Sequence, residues 1–263
     1  MNSEKTARKI EKHYECRGVP LKLEKCEIVG NGERFIYTIK FKKRTKEDLI
    51  FDCARNIQLA LRLPLFQPFV EDLTIKLAVS YRPLTENSLR KMLANPAFHR
   101  SRMSIPIPLG YDMRGGMRFT DLVNFPHALY GGATNSGKTV GLQNLIISIA
   151  VKQSVNRVNL ILIDVGTSGL NLFHSLPHLS CEIVNNEEIA VNVIKALIVE
   201  MNQRTNIPRN ELRELPALIC VIDEYLSLIR SVKGDGKNDL ISNISNLLQR
   251  GRHAKIHIIL ATQ

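Results

Sequence analysis

Nowhere does this 263-residue chain approach the roughly 20 consecutive apolar residues that a membrane-crossing helix requires; the longest apolar run, around Leu145–Val151, is far too short. The first nine residues, Met1 to Lys9, hold no apolar stretch of the kind that a secretory leader carries, so none is expected. The five cysteines (Cys16, Cys26, Cys53, Cys181, Cys220) are odd in number, widely scattered and never spaced Cys-x-x-Cys. That pattern excludes a disulfide framework and a thiolate zinc site, and it points to a reducing compartment, so a cytoplasmic location is expected. Internal repeats and low-complexity tracts are also lacking. With 44% apolar and 23% charged residues, a disordered or fibrous chain is excluded.

What the chain has is positive charge: 36 Lys and Arg against 25 Asp and Glu, a net +11. Residues 1–100 carry 20 basic and 12 acidic side chains, a balance of +8, whereas residues 101–263 carry 16 and 13, a balance of +3. Such asymmetry suggests two parts with different tasks, one of them suited to a polyanion. A lysine-rich solvated surface on a small domain is the ordinary alternative.

The first part opens on a polar helix pattern around Lys5–Cys16. It continues into a strand over Leu21–Val29, a hairpin signal at Gly30-Asn31-Gly32 and a partner strand over Phe35–Phe41. Residues Glu47 to Arg62 read as an amphipathic helix, with Leu49, Cys53, Ile57 and Leu61 at i/i+4 spacing, stopped before Pro64. Thr74–Val79 is a further short strand. These elements predict a small α+β domain over residues 1–83. From 84 onward a Pro-, Gly-, Met- and Arg-rich lead-in, with one helix at Asn87–Leu93 and some short strands, reaches Phe125. Beyond Pro126 strands alternate with helices. Strands are predicted at Ala128–Gly131, Val158–Asp164, Ala217–Asp223 and Lys255–Thr262, and helices at Lys138–Lys152, Glu187–Arg204 and Leu240–Arg250. Strands as uniformly apolar as Leu160-Ile161-Leu162-Ile163 are buried on both faces, as in a parallel sheet covered by helices.

The chemistry centres on Gly132-Ala133-Thr134-Asn135-Ser136-Gly137-Lys138-Thr139, which matches G-x-x-x-x-G-K-[ST] between a strand and a helix. A glycine-rich turn presents successive backbone N–H groups to phosphate oxygens, and the helix that follows adds the positive end of its dipole. Gly132 to Val140 are the candidate nucleotide contacts. Lys138 would reach the β- and γ-phosphates of ATP, and the Thr139 hydroxyl would ligate Mg²⁺. Chance alone places this pattern in about one chain in a hundred of this length, taking Gly near 7%. The apolar strand Leu218–Ile222 ends in Asp223-Glu224. Asp223 is the candidate for the Mg²⁺ shell and Glu224 for the base that polarises the attacking water. Ile256–Ala261 ends in Thr262-Gln263, and in a P-loop sheet such a strand lies between the phosphate loop and the acidic strand, where Gln263 could sense a γ-phosphate. The spacing His174-x-x-x-His178-x-x-Cys181 invites a zinc reading, but Pro177 disrupts the helix that would align the rings.

These residues resemble the FtsK/SpoIIIE family of DNA translocases. Phe125-Pro126-His127-Ala128-Leu129 is similar to the Pro-His-Leu-Leu that leads into that family's P-loop. Ile161-Leu162-Ile163-Asp164 with Leu176-Pro177-His178-Leu179 resembles its Ile-Asp-Pro-Lys and Ile-Pro-His-Leu stretches. Asp223-Glu224-Tyr225 resembles its Asp-Glu-Phe, and the run from Gly251-Arg252 to Gln263 its Arg-Ala-Ala-Gly-Ile-His-Leu-Ile-Leu-Ala-Thr-Gln. After Asp164 the family's Pro-Lys is replaced by Val165-Gly166.

The resemblance implies an α/β fold over residues 84–263, a RecA-like P-loop NTPase with helices on both faces of a parallel sheet. It also implies a homo-hexameric ring that threads double-stranded DNA by ATP hydrolysis, in chromosome segregation or in conjugative transfer. Arg252 would be the arginine finger that completes a neighbour's site. Because the family continues past Gln263 with more motor and a winged helix, a fragment or trimmed relative is expected, and full-length relatives can be membrane-tethered. Two other readings stay open: a secretion ATPase that acts on protein, and a nucleotide-binding module without turnover. Arg204, Arg209 and Arg213 are candidates to line a channel, against the plainer reading of a solvated helix face.

Overall fold

The computed structural model describes residues 3–29, 34–42, 46–81, 88–133, 136–166 and 168–263. The Gly30-Asn31-Gly32 turn, Asn87, Thr134, Asn135 and the domain boundary expected between residues 83 and 84 lie outside them. The chain divides into two compact units, one of Met1–Met92 with Gly110–Arg118 and one of Leu93–Leu109 with Phe119–Gln263.

The first unit contains α1 (Ser3–Glu15), β1 (Leu21–Val29), β2 (Arg34–Phe41), α2 (Asp48–Leu61), β3 (Leu65–Glu71), β4 (Thr74–Ser80) and α3 (Leu89–Leu93). Its sheet is antiparallel with strand order β1-β2-β4-β3. One face of that sheet is covered by the two long helices. Ile10 and Tyr14 of α1 and Ile50 and Ile57 of α2 join Leu21, Tyr37, Leu77 and Val79 in one cluster. The buried stripe of α2 is Ile50, Ala54 and Ile57, while Leu49 stays 37% exposed. Of the stripe expected on Leu49, Cys53, Ile57 and Leu61, Ile57 is buried and Cys53 and Leu61 pack partly buried against the cluster, while Ile50 and Ala54 take the deep positions in place of Leu49. β3 was not foreseen, since it contains Pro68; as an edge strand it tolerates a residue with no N–H to give. Residues Gly110–Arg118 are held in this unit by Arg114, which donates to Glu71 Oε1 at 3.0 Å and pairs with Glu27 at 2.5 Å.

In the second unit α4 (Pro96–Arg100) precedes a two-stranded ribbon, β5 (Pro106–Tyr111) and β6 (Met117–Asp121), whose far end belongs to the first unit. Then come β7 (Ala128–Gly131), α5 (Lys138–Lys152), β8 (Val158–Asp164), α6 (Glu187–Thr205), α7 (Arg209–Glu214) and β9 (Ala217–Asp223). The chain continues with α8 (Tyr225–Ser231), α9 (Asp235–Arg250) and β10 (Ile256–Thr262). Strands β7, β8, β9 and β10 form a parallel sheet ordered β7-β10-β9-β8. The last strand therefore lies between the phosphate-loop strand and the acidic strand, where it was expected.

Alternation along the strands sorts the core into two layers. Ile161, Ile163, Cys220, Ile222, Ile256 and Ile258 face α6, α8 and α9. Leu160, Leu162, Ile219, Val221, Ile259 and Ala261 face α5. Every residue of β9 is buried, so this strand carries helices on both faces. That explains why its sequence is a continuous apolar run rather than an alternating one. Among the described residues no helix is long and apolar enough to cross a membrane.

Candidate active site

Parallel pairing brings the carboxyl ends of β7 and β9 to the same edge as the end of β10, with Thr262 beside Gly131 and Leu260 beside Ile222. The loop from Gly132 into α5 therefore faces the Asp223-Glu224 turn. Gly137 takes φ +89°, a left-handed conformation that costs glycine little, and this lets the loop turn directly into α5 at Lys138. The Ser136 hydroxyl packs against Gly132 where a Cβ would stand, so a side chain there would have to turn that hydroxyl away. At Gly141, one turn into α5, an added Cβ would lie 3.2 Å from the Tyr130 ring, so the helix rests directly on β7.

The structure gathers five of the expected residues. Lys138 Nζ lies 3.2 Å from Asp223 Oδ1 and is hydrogen-bonded to Glu224 Oε1. Thr139 Oγ1 donates to Asp223 Oδ2 at 3.4 Å, and Gln263 Nε2 donates to the same Glu224 Oε1 at 2.8 Å. Asp223 is fully buried and accepts the Glu224 backbone N–H at 2.9 Å. Glu224 itself holds φ +53°, ψ +48°, a strained turn for a residue with a side chain, and it caps α8 while its carboxylate reaches Lys138.

Burial alone would lower the Lys138 ammonium, but its bonds to Glu224 and Asp223 outweigh that and hold its pKa above the usual lysine value. Burial likewise pushes the Glu224 carboxyl up, and hydrogen bonds from Lys138 and Gln263 more than reverse it, leaving Glu224 below the usual range. All three groups are thus charged or polar donors and acceptors at neutral pH, arranged around a point at the positive end of α5.

The residues fit a magnesium nucleotide. Thr139 Oγ1 and Asp223 Oδ2 are neighbouring oxygens of the kind a hard cation takes, and the side-chain-free surface at Gly132 is what a phosphate approaching the backbone needs. Of the other loop residues, Ala133, Ser136, Gly137 and Val140 are exposed at this edge, while Thr134 and Asn135 lie outside the described residues.

Arg252 is not brought to this site. It is exposed in the short 3₁₀ turn Gly251–Ala254 that precedes β10. The site lies at the far end of that seven-residue strand, about 20 Å away at roughly 3.3 Å per residue. Arg204 corrects a reading: it is neither a channel-lining candidate nor part of a solvated face. It is 4% exposed and donates to Glu200 (2.7 Å), the Pro216 carbonyl (2.8 Å) and the Ala254 carbonyl (3.3 Å). Arg209 and Arg213 are exposed. His178 is engaged with the Gln153 carbonyl at 2.8 Å, and no group of three metal-ligating side chains occurs among the described residues.

Sequence reasoning assigned no role to His127, yet its Nδ1 accepts the Ile258 backbone N–H at 3.0 Å and ties β7 to β10. A Cβ on Gly251 would come within 3.6 Å of its ring, so the Arg252 turn is seated against this histidine. The only signal was its place in the stretch that leads into the P-loop.

A parallel sheet with a phosphate loop, an acidic strand and an intervening strand that ends in a glutamine defines the P-loop ATPase class. Within it, residues 88–212 match the model of the FtsK/SpoIIIE family. The chain is 27% identical to the DNA translocase FtsK of Listeria monocytogenes over 98% of this chain and 36% of that protein. To the DNA translocase FtsK of Clostridium tetani it is 31% identical over 72% of this chain and 27% of that protein. It spans about a third or less of these relatives. Among solved structures, the pCW3 conjugation coupling protein TcpA with ATPgS superposes with a TM-score of 0.56 at 16% identity, covering 98% of this chain and 77% of that one. A Thermomonospora curvata EccC (ATPases 2 and 3) in complex with a signal sequence peptide gives 0.56 at 21%, covering 70% and 32%. At these identities the two structures share the fold.

Proposed function

We propose that this chain is the ATP-hydrolysing part of a motor that moves double-stranded DNA, in chromosome segregation or in the transfer of a conjugative element. The observation that carries the reading is Lys138 held between Asp223 and Glu224, with Gln263 on the same Glu224 carboxylate. The family match supports DNA as the cargo.

On nucleotide binding Lys138 moves its donors from the carboxylates to the β- and γ-phosphate oxygens, which frees Glu224. The backbone N–H groups at the start of α5 hold the phosphates. Thr139 and Asp223 would hold Mg²⁺, which when bound would supply charge neutralisation at the phosphate oxygens. Glu224 accepts a proton from water as that water attacks the γ-phosphorus; the β–γ bridging bond breaks, and its electron pair leaves on ADP. Gln263, released with Glu224, reports the γ-phosphate to β10. Arg252 of one subunit reaches the nucleotide of the next in a homo-hexameric ring, a contribution on the order of 10³–10⁵ in rate.

The test is ATP hydrolysis by the full chain with and without linear duplex DNA. Stimulation by duplex that is lost in Lys138→Ala is expected. Stimulation by a peptide instead would move the reading to a secretion ATPase. A strict monomer that binds nucleotide without hydrolysing it would reduce the chain to a binding module.

A further inference from the structure

The solvent face of α1 is a ridge of cations. Lys5, Arg8, Lys9 and Lys12 are exposed at three- and four-residue spacing, opposite Ala7, Ile10 and Tyr14, which face the core. Beside Lys5 and Lys9 a cavity of about 390 Å³ opens, with Arg62 and Tyr81 in its wall. One turn on, a hollow of about 240 Å³ lies among Lys9, Lys12, His13 and Cys16. Lys9 borders both, so they form one continuous stripe, and among the described residues no acidic side chain lines either.

Two features of the stripe lack a counterpart among the described residues. No described carboxylate lies within 4.0 Å of the Lys5, Lys9, Lys12 or Arg62 head groups, although ion pairs form elsewhere in this unit, as between Lys76 and Glu71 at 2.6 Å. The Tyr81 hydroxyl is buried with no hydrogen-bond partner. Like charges converging on a concave surface repel one another until an anion enters.

We propose that this stripe binds the sugar–phosphate backbone of double-stranded DNA, one phosphate entering between Lys5, Lys9, Arg62 and Tyr81 and the next ones running along Lys12. From Lys5 to Lys12 the helix rises about 10 Å, the axial length of about three phosphates of one strand. A repeating anion is therefore matched better than a single small one. The contacts reach phosphates only, so they grip duplex without reading its sequence. The proposal rests on the motor reading only for its choice of polyanion.

The experiment is fluorescence anisotropy of a labelled 30-base-pair duplex with the full chain, without nucleotide, across a KCl series. In the triple variant Lys5→Gln, Lys9→Gln, Arg62→Gln we expect affinity to fall at least about tenfold. The slope of log K against log[salt] should flatten by about 2–3, near 0.9 per lost contact. Lys22→Gln with Lys40→Gln, elsewhere on this unit, should leave both alone. Wild-type affinity and slope in the triple variant would overturn the proposal. So would loss of binding to phosphatidylserine vesicles with DNA affinity intact. If duplex still stimulates ATP hydrolysis while the triple variant binds DNA normally, the motor stands and this surface falls. A wild-type chain that neither binds duplex nor is stimulated by it overturns both.

Discussion

Lys138 and Glu224 are hydrogen-bonded to each other across the carboxyl edge of the parallel sheet, with Gln263 on the same Glu224 oxygen. Strands β7, β9 and β10 end together, and each contributes to the contact through the residues that follow it. In the proposed reading Lys138 turns donors from these carboxylates to phosphate, so nucleotide binding and release of Glu224 would be one exchange.

That exchange predicts a separation of binding from turnover. Glu224→Gln keeps a group that can pair with Gln263 but cannot take a proton from water. Nucleotide affinity, read by a fluorescent ATP analogue, should stay within a few-fold of wild type. The hydrolysis rate should fall on the order of 10²–10⁴. Equal losses in affinity and rate would mean that Glu224 serves the loop's structure instead.

Arg252 and Lys138 lie at opposite edges of one sheet, so they cannot serve the same nucleotide within one subunit. If Arg252 acts, it acts on a neighbour. Arg252→Ala and Lys138→Ala should each lack hydrolysis alone. Mixed together, they should regain activity, because some interfaces then pair an intact loop with an intact arginine. Mixing that restores nothing over a range of ratios would remove Arg252 from the chemistry.

His257 is 3% exposed on β10, its Nδ1 bonded to the Pro126 carbonyl at 3.0 Å. Burial pushes it down to about 4, and the Pro126 bond opposes this only in part. The folded value lies below the unfolded one of about 6.5, so between these values the unfolded chain binds more protons. Stability is therefore complete above about pH 6.5 and falls as pH drops toward 4, by about 3 kcal/mol. His127, also lowered by burial, acts in the same direction. Urea unfolding from pH 7.5 to 4 should show this fall, and His257→Gln should flatten it.

Much of the second unit was legible because burial on both faces leaves a plain signature. Strands Val158–Asp164 and Ala217–Asp223 are apolar runs that end in an acid, and both were bounded correctly. The phosphate loop was legible because its chemistry demands glycine and lysine at fixed spacing. Local pattern could not supply what depends on distant partners. In α2 the expected stripe holds at Ile57, Cys53 and Leu61 but not at Leu49, because the sheet beneath the helix draws Ile50 and Ala54 inward instead. β3 was hidden by Pro68, whose tolerance depends on an edge position that only the strand order reveals. Arg204 looked like a surface charge at a helix end because the carbonyls that receive it, on Pro216 and Ala254, lie 12 and 50 residues away.

Arg204 therefore yields the last prediction. Its guanidinium bridges the C-terminal turn of α6 to the chain entering β9 and to the turn before β10. Truncation leaves the Pro216 and Ala254 carbonyls without this donor and opens a void, so Arg204→Ala should destabilise by about 2–4 kcal/mol. Arg204→Lys should recover only part, because a point cation on a flexible stem cannot span two carbonyls and Glu200 as a planar fork does. The exposed Arg209→Ala should cost less than about 0.5 kcal/mol. Thermal unfolding of the three variants orders them. If Arg204→Ala melted with Arg209→Ala and instead lost DNA affinity, this arginine would be a cargo contact and its burial incidental.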